Sequence, residues 1–110
     1  MIVTITSIEL KGPFKFFALS SSALKIIRQL KKTNCVQTKT RGFWTTHYTM
    51  TLWNNEEEMK AFAYSGAHME AMKKSKDIAK EIRILTLTAA QLPNWKEAKE
   101  LLQKGKVLTY

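Results

Sequence analysis

The sequence has too few cysteines, histidines and consecutive apolar residues for three common classes of protein. Its single cysteine, Cys35, cannot form an internal disulfide, and such cysteine usage favours a reducing, cytoplasmic location. One cysteine and two histidines are too few to predict a metal site. No run of about 18 apolar residues is present, so no membrane span is expected. The first residues also lack the basic region and cleavage site of a signal peptide.

Phosphate-binding loops and paired catalytic carboxylates are missing as well. The four glycines are scattered singly, which excludes a glycine-rich loop that could cradle a phosphate. The three consecutive glutamates at 56–58 fit the first turn of a helix, where they complement the positive end of its dipole. Candidate chemistry must therefore come from the histidines and the aromatic side chains.

The balance of charge is strongly basic. Lysine and arginine outnumber aspartate and glutamate by 18 to 9, which gives the 110-residue chain a formal charge of +9. Such a surface attracts anions, whether nucleic acid, lipid headgroups or acidic small molecules. The lysines are spread over several segments, so the simplest interpretation is a solvated surface. The length and a hydrophobic content of 45% predict one soluble domain, residues 1–110.

Hydrophobic periodicity predicts the order β-α-β-β-α-β-α. Strands are predicted at residues 2–10, 35–41 and 43–53 and within 78–90, clearest from 82 to 88; helices are predicted at 14–32, at 55–74 with a kink at Ser65-Gly66, and after Asn94. A tight hairpin turn is predicted at Arg41-Gly42. The last residues, 107–110, are predicted as a tail or a short edge strand.

The strongest local signal is the passage from a strand that ends at Trp53 into a helix. Asn54 or Asn55 can cap that helix, because a short amide side chain accepts a hydrogen bond from the free amides of the first turn. Glu57 or Glu58 then occupies the third helical position, which completes a capping box. The same logic predicts a cap at Asn94 for the last helix.

The element order predicts an α+β fold, the ferredoxin-like βαββαβ sandwich with a C-terminal helix. In this plan a four-stranded antiparallel sheet carries its helices on one face. The strands at 2–10 and 43–53 place large apolar or β-branched residues on both of their faces. The uncovered face therefore needs a cover, and we expect a second copy of the chain to pack against it, sheet to sheet, in a two-fold dimer.

The segment from Trp53 to Ala71 resembles a known superfamily. The strand end Leu-Trp, the acidic helix start and the run Phe-Ala-Tyr-Ser-Gly-Ala-His (residues 62–68) are similar to those of the antibiotic biosynthesis monooxygenase (ABM) superfamily. Within it, the segment is most similar to spheroidene-monooxygenase-like proteins and a related group of bacterial domains. The resemblance implies a homodimer whose two sheets close into a dimeric α+β barrel. It also implies one pocket per subunit, between sheet and helices, for a small hydrophobic or aromatic ligand.

The resemblance leaves the cofactor open between none and haem. Some members of the superfamily oxygenate aromatic polyketides without a cofactor, and others bind and degrade haem. A tryptophan that the haem degraders carry at the end of the third strand matches Trp53. Their haem-ligating histidine corresponds to Met72, however, and His68 lies one helical turn earlier. The asparagine of their first strand has no counterpart in this chain.

His68 is the main catalytic candidate, as a general base, a haem ligand or a hydrogen-bond donor to a quinone-like substrate. Its alternative role is structural, with the ring bonded to a nearby backbone or strand hydroxyl. Tyr64, one turn earlier on the same helix face, is a candidate proton donor, and Met72 shares that face. The predicted ligand-binding residues are Trp53, Met72, His47 and Phe62.

For two of these residues the sequence allows two different roles. Trp53 can be a wall of the pocket or a core aromatic that joins strand to helix. His47 shares a strand face with Trp53; if that face points toward the helices, His47 lines the pocket, and if it points toward the other sheet, His47 lies in the dimer interface. Of the two, the dimer interface is the favoured prediction for His47. Cys35 is interpreted as a packing residue.

The sequence therefore predicts a monooxygenase-like oxidoreductase, with two rival functions. The first rival is a ligand-binding or structural dimer without catalysis, because a fold does not determine a function. The second is an RNA recognition motif, which uses the same βαββαβ order. Arg41-Gly42-Phe43 and Tyr48 match part of its third-strand signature, but Trp44 and Thr45 depart from it, and the first strand has no aromatic residue to stack on a base. Nucleic acid is therefore not the expected partner.

Overall fold

The described residues form one antiparallel sheet with helices on both sides. The computed structural model of the chain describes residues 1–12, 15–31, 33, 35–43, 45–64, 73 and 77–109. Its elements are β1 (Ile2–Leu10), α1 (Phe16–Leu30), β2 (Gln37–Phe43), β3 (Thr46–Trp53), α2 (Glu56–Ala63), β4 (Ala79–Thr88), α3 (Trp95–Leu102) and β5 (Lys106–Thr109). The predicted kink at Ser65-Gly66 lies outside the described residues.

The sheet has five strands in the order β2-β3-β1-β4-β5, and every neighbouring pair is antiparallel. The central strand, β1, pairs with β3 from Ile2 opposite Trp53 to Glu9 opposite Thr46. This topology confirms the predicted ferredoxin-like α+β fold. It also decides between the two alternatives for the C-terminus, since β5 is a short edge strand that pairs with β4. None of the helices in the described part of the chain is long and apolar enough to cross a membrane.

The β2–β3 hairpin differs from the prediction. Arg41 and Gly42 lie inside β2, where they pair with Tyr48 and His47, and the turn comes later, between Phe43 and Thr46. A methyl group built on Gly42 would collide with the ring nitrogen Nδ1 of His47 on the neighbouring strand. Gly42 therefore leaves room for the imidazole opposite, and the chain does not turn there.

One face of the sheet packs against α3 and holds the larger apolar core. Val3 and Ile5 of β1 and Met50 of β3 are completely buried there, with Ala98 and Leu102 of α3 against them. Each such side chain contributes about 1.5–3 kcal/mol to folding when it leaves water. We call this surface the α3 face.

The position of α3 corrects the prediction that all the helices lie on one face of the sheet, whereas the dimer expected on the other face stays a prediction. The C-terminal helix of the same chain covers the apolar part of that second face. Trp95, Leu101 and Leu102 of α3 belong to the same core as Leu85 and Leu87 of β4. Within the subunit, α3 therefore covers apolar side chains of the face for which a partner was expected, although Leu85 and Leu87 are only half-buried.

The opposite face packs against α1 and α2, and we call it the α1/α2 face. Its core cluster consists of Leu30 at the end of α1, Trp53 at the end of β3 and Phe62 of α2. The rings of Trp53 and Phe62 lie 5.4 Å apart between centroids and are tilted by 31°. This aromatic pair joins the sheet to both helices at one point.

The predicted helix caps are present. Asn55, and not Asn54, is the N-cap of α2, and its Oδ1 accepts a hydrogen bond of 2.9 Å from the backbone N–H of Glu58. Asn94 caps α3 in the same way, with a bond of 2.8 Å from the N–H of Glu97. Each cap satisfies an amide that the helix itself leaves without an acceptor.

The cap at Asn55 predicts a measurable loss of stability. Asn55→Ala removes the acceptor of the Glu58 amide and is expected to lower the free energy of unfolding by about 1 kcal/mol. Urea denaturation followed by far-UV circular dichroism measures this. Asn54→Ala is the matched control, since Asn54 is an exposed neighbour that does not cap the helix, and it is expected to stay within about 0.5 kcal/mol of the wild type. An equal loss in both variants would contradict the assignment of the cap.

Candidate ligand-binding site

Threonine hydroxyls cover the middle of the α1/α2 face. The strand register places four threonines in one row across the sheet, Thr38, Thr51, Thr4 and Thr86, on β2, β3, β1 and β4 in that order. The next row holds Thr40, Thr49 and Thr6. We call these seven residues the threonine face. Within it, Oγ1 of Thr4 and Oγ1 of Thr86 lie 3.5 Å apart.

The threonine face combines strand stability with polarity. Threonine is β-branched and suits a strand as valine does, but it presents a hydroxyl that can donate and accept a hydrogen bond. Thr51 is buried, whereas Thr49, Thr4 and Thr6 are half-buried and Thr38 is exposed. The helix-bearing side of the sheet therefore carries hydroxyl groups where an ordinary core would carry methyl groups, and Thr38, Thr40 and Thr86 are exposed.

A groove opens at one edge of this face, between the C-terminal turn of α1 and β2. Its volume is about 370 Å³, and it is lined by Ile27, Leu30, Lys31, Cys35, Val36, Gln37, Thr38 and Thr40. Two residues of the threonine face are thus part of its wall. The groove presents apolar carbon, hydroxyl groups and a lysine within one small volume, which is the mixture typical of sites for small ligands.

The connection from α1 to β2 gives the groove its shape. The hydroxyl of Thr33 donates a hydrogen bond of 2.7 Å to the carbonyl of Leu30 and accepts one of 3.3 Å from the N–H of Cys35. The N–H of Val36 then donates to the carbonyl of Leu52 at 2.8 Å. These bonds hold the end of the helix beside the edge strand, so that the groove is formed by residues close in sequence.

The thiol of Cys35 is part of the groove wall. Its Sγ lies 3.3 Å from Oγ1 of Thr38, 3.4 Å from the carbonyl of Gln37 and 3.5 Å from the carbonyl of Leu52. The side chain is half-buried and also packs against the Trp53 cluster. The sequence reading of Cys35 as a packing residue is therefore confirmed, and the structure adds its place beside the groove.

Trp53 and Phe62 lie in the core behind the groove. Trp53 is 1% exposed, and its Nε1–H donates a hydrogen bond of 3.0 Å to Oγ1 of Thr51. Phe62 is also buried. Of the two alternatives for Trp53, the structure shows the core aromatic that joins strand to helix. Leu30 connects the two regions, since it packs against both rings and lines the groove. A direct contact between these rings and a ligand stays a prediction.

His47 lies on the α1/α2 face, which corrects the favoured assignment to the dimer interface. β3 is regular from Thr46 to Trp53, so His47 and Trp53, six residues apart, point to the same side of the sheet. Because Trp53 packs against α1 and α2, His47 faces the helix side too. The two residues are separated by about 20 Å along the strand, at roughly 3.3 Å per residue. The row of His47 on this face also contains Ile8 and Ile82, so His47 is a single polar side chain beyond the threonine rows.

The catalytic candidates lie at or beyond the end of α2. Tyr64 is 72% exposed and follows the last residue of the helix, where its N–H donates to the carbonyl of Lys60 at 3.0 Å. The structure does not bring Tyr64 to the groove. His68 and Met72 lie outside the described residues, so their roles stay predictions. Among the described residues, no three His, Cys, Asp or Glu side chains are grouped as metal ligands would be.

The groove itself was not predicted from the sequence. A signal for part of it was present, since threonine alternates at 38 and 40 and again at 49 and 51 with the period of a strand. The α1 side of the groove has no distinctive sequence pattern, because Ile27, Leu30 and Lys31 resemble the residues of any amphipathic helix. Only their proximity to β2 makes them part of a site.

The chain matches one protein family over most of its length. Residues 15–106 match the family described as "Domain of unknown function (DUF3291)". The chain belongs to this family. None of the proteins with curated functions matches the DUF3291 chain.

Solved structures share the fold of the DUF3291 chain at low identity. One is a candidate antibiotic biosynthesis monooxygenase of Deinococcus radiodurans (TM-score 0.74, 12% identity, covering 86% of this chain and 97% of that one). Another is Rv0793 of Mycobacterium tuberculosis (TM-score 0.74, 8% identity, 84% and 98% covered). A third is a candidate antibiotic biosynthesis monooxygenase of Nitrosomonas europaea (TM-score 0.72, 12% identity, 83% and 100% covered). The predicted resemblance to ABM-type proteins is confirmed for the fold, and identities this low do not extend it to activity.

The hydrogen bond from Trp53 predicts unequal effects of two threonine substitutions. Thr51→Val removes the acceptor of a buried indole N–H and is expected to lower the free energy of unfolding by about 1–3 kcal/mol. Thr49→Val keeps the same shape and β-branching one row away, on a half-buried residue, and is expected to cost less than about 0.5 kcal/mol. Urea denaturation of both variants measures the difference. Losses of equal size would show that the bond between Trp53 and Thr51 does not stabilise the fold.

Proposed function

We propose that this DUF3291 chain binds a small hydrophobic or aromatic ligand between the sheet and helices α1 and α2, and oxidises it as a monooxygenase of the ABM type. The groove beside the threonine face is the single observation that carries the proposal, because it combines an apolar wall with hydroxyl groups. The shared fold of proteins described as candidate antibiotic biosynthesis monooxygenases supports the reaction class.

The proposed reaction needs no external reductant. A phenolic substrate with an adjacent ring CH₂ loses a proton and donates its own electrons to O₂. One oxygen atom becomes the carbonyl of the product, and the other leaves as water with the two hydrogens of the CH₂ group. Ile27, Leu30 and Val36 would hold the ring and exclude water, and Thr38 and Thr40 would donate hydrogen bonds to the oxygen of the deprotonated substrate. His68 is the proposed base; Tyr64, which is 72% exposed and away from the groove, is given no role in this reaction.

The described residues do not fit haem. The indole of Trp53, which matches the tryptophan of the haem degraders, is closed off by Phe62 and Leu30. The groove volume of about 370 Å³ is near the lower end of the range for small-ligand pockets, and its described lining contains no histidine. The proposed reaction is therefore written without a haem step.

A ligand-binding protein without catalysis is the second candidate function. One observation favours it: among the described residues that line the groove there is neither an imidazole nor a carboxylate. Catalysis then depends on a base from another part of the chain, and His68 is the residue proposed for that role. The two candidates differ in whether O₂ is consumed when the ligand is bound.

We also propose a homodimer that uses the part of the α3 face left open by α3. Arg41, Ser7 and Arg83 lie there on three strands, in one register row with Tyr48, whose ring packs against Trp95 of α3. Arg83 is already paired with Glu81 at 2.6 Å. Such an interface would be polar, in contrast to the apolar one predicted from the strand pattern. Sedimentation velocity tests it: a dimer has twice the chain mass of 12.7 kDa, and a single species of 12.7 kDa would contradict it.

Substitutions on α1 test the groove as the substrate site. Ile27→Glu places a charge on its apolar wall, at a residue already 36% exposed, and is expected to lower kcat/KM for O₂ consumption by about tenfold or more with an anthrone, which carries the required ring CH₂ group. An oxygen electrode measures the rate. Leu24→Glu is the matched control, since Leu24 is a half-exposed residue of the same helix that does not line the groove, and it is expected to keep the wild-type value. Equal losses of kcat/KM in the two variants would show that the groove is not the substrate site.

His68→Ala tests the proposed base. The variant is expected to lose about 10²–10⁴-fold in kcat with little change in KM, because a general base acts on the transition state and not on binding. A haemin titration of wild type and variant completes the test. A shifted Soret band that disappears in His68→Ala would contradict the reaction without haem, and ligand binding without O₂ uptake in the wild type would favour the non-catalytic alternative.

A further inference from the structure

Charge is divided very unevenly along the chain. Residues 10–55 contain eight lysines and arginines and no aspartate or glutamate. The remaining residues carry ten basic and nine acidic side chains. One segment of 46 residues therefore accounts for +8 of the net charge of +9, while the rest of the chain is nearly balanced.

The fold gathers this acid-free segment around the groove. The segment supplies α1, β2 and β3, and the described residues that line the groove all lie between 27 and 40. Its exposed cations on α1 and β2 are Lys25, Arg28, Lys31, Lys39 and Arg41. Lys39 and Arg41 point to the other side of β2 from Thr38 and Thr40, yet they lie within about 10 Å of the groove edge, so salt does not fully screen them.

The groove lies at the C-terminal end of α1, where the helix dipole is unfavourable for an anion. That end carries about half a negative elementary charge. Lys31 lies at that end and Arg28 one turn earlier, and each contributes a full positive charge. The local field is therefore positive in spite of the dipole. A groove with walls of one sign raises the local concentration of a ligand of the opposite sign.

The apolar wall limits which anion can bind. Ile27 and Val36 are 36% and 47% exposed, and Leu30 lies between them and the core. Inorganic ions would leave this carbon surface wet. An apolar ring or chain that packs on these three residues would remove their carbon surface from water. Each Å² of apolar surface buried in this way stabilises the complex by about 25 cal/mol.

We propose that the groove selects amphipathic anions: small molecules whose apolar body packs on Ile27, Leu30 and Val36, and whose carboxylate or sulfonate meets the ammonium group of Lys31. Thr38 and Thr40 donate hydrogen bonds to the same anionic group. This inference rests on the groove named in the proposed function and adds the charge of its ligand. A permanently charged group, and not only an aromatic ring, then distinguishes ligands from other apolar molecules.

Two fluorescent probes with the same aromatic body test the charge requirement. The first, 1-anilinonaphthalene-8-sulfonate, is an anion, and N-phenyl-1-naphthylamine is its neutral counterpart without the sulfonate. Wild-type protein is expected to bind the sulfonate at least about fivefold more tightly in low salt. The advantage is expected to shrink when the salt concentration rises to about 0.15 M, where the screening length falls to about 8 Å.

Lysine substitutions assign the effect to the groove. Lys31→Gln is expected to lower the affinity for the sulfonate probe about fivefold and to change the affinity for the neutral probe by less than about twofold. Lys104→Gln makes the same change in net charge at an exposed residue after α3, and both probes are expected to bind it as they bind wild type. An equal effect of the two substitutions would overturn the inference, because it would show attraction by net charge alone. Far-UV circular dichroism verifies that each variant is folded.

The outcomes separate this inference from the proposed function. If the wild type binds both probes equally and Ile27→Glu binds neither, the proposed charge selectivity is overturned. The groove is then a site for apolar ligands. Binding of both probes that Ile27→Glu does not change, or no binding at all, overturns the groove and the proposed function with it. Displacement of the sulfonate probe by a short oligonucleotide, beyond the effect of matched salt, also overturns the inference, since the basic surface then serves a polyanion.

Discussion

The burial of one indole ring organises this structure. Trp53 is almost completely removed from water, and its N–H would be costly to bury without an acceptor. Thr51, two residues earlier on the same strand and therefore on the same face, supplies that acceptor. The satisfied ring can then pack against Phe62 of α2 and Leu30 of α1. Three elements meet at this point, and the end of α1 is thereby held beside the sheet edge where the groove forms.

The two faces of the sheet have different roles because their side chains differ in polarity. The α3 face is closed by methyl and methylene groups, with Val3, Ile5 and Met50 completely buried. The α1/α2 face carries two rows of threonines between apolar side chains, with Trp53 at one end and Ile8 and Ile82 at the other. A face of the first kind stabilises the fold, whereas a face of the second kind leaves hydroxyl groups that can bind a ligand. The position of the groove on the second face agrees with this division.

Several features could be predicted because the forces behind them act between near neighbours in sequence. The caps at Asn55 and Asn94 depend on a side chain and an amide three residues apart, and both are present. The strand β1 follows from its β-branched run and has the predicted bounds. The predicted hairpin turn lies too early, since a glycine is often a sign of a turn, and here Gly42 lies within β2 and leaves room for the ring of His47 on the neighbouring strand. That contact involves a residue on another strand, which a local pattern does not show.

The sequence by itself determined the order of helices and strands, the caps, and the sets of side chains that share a strand face. It also determined that residues 10–55 carry no acidic side chain. Only the tertiary structure decided which set faces which helix, and so placed His47 on the helix side and α3 on the opposite face. The physical reason is that the alternation of a strand separates two faces without saying what covers each. Coverage depends on contacts between distant parts of the chain, and the same contacts placed the acid-free segment around a groove.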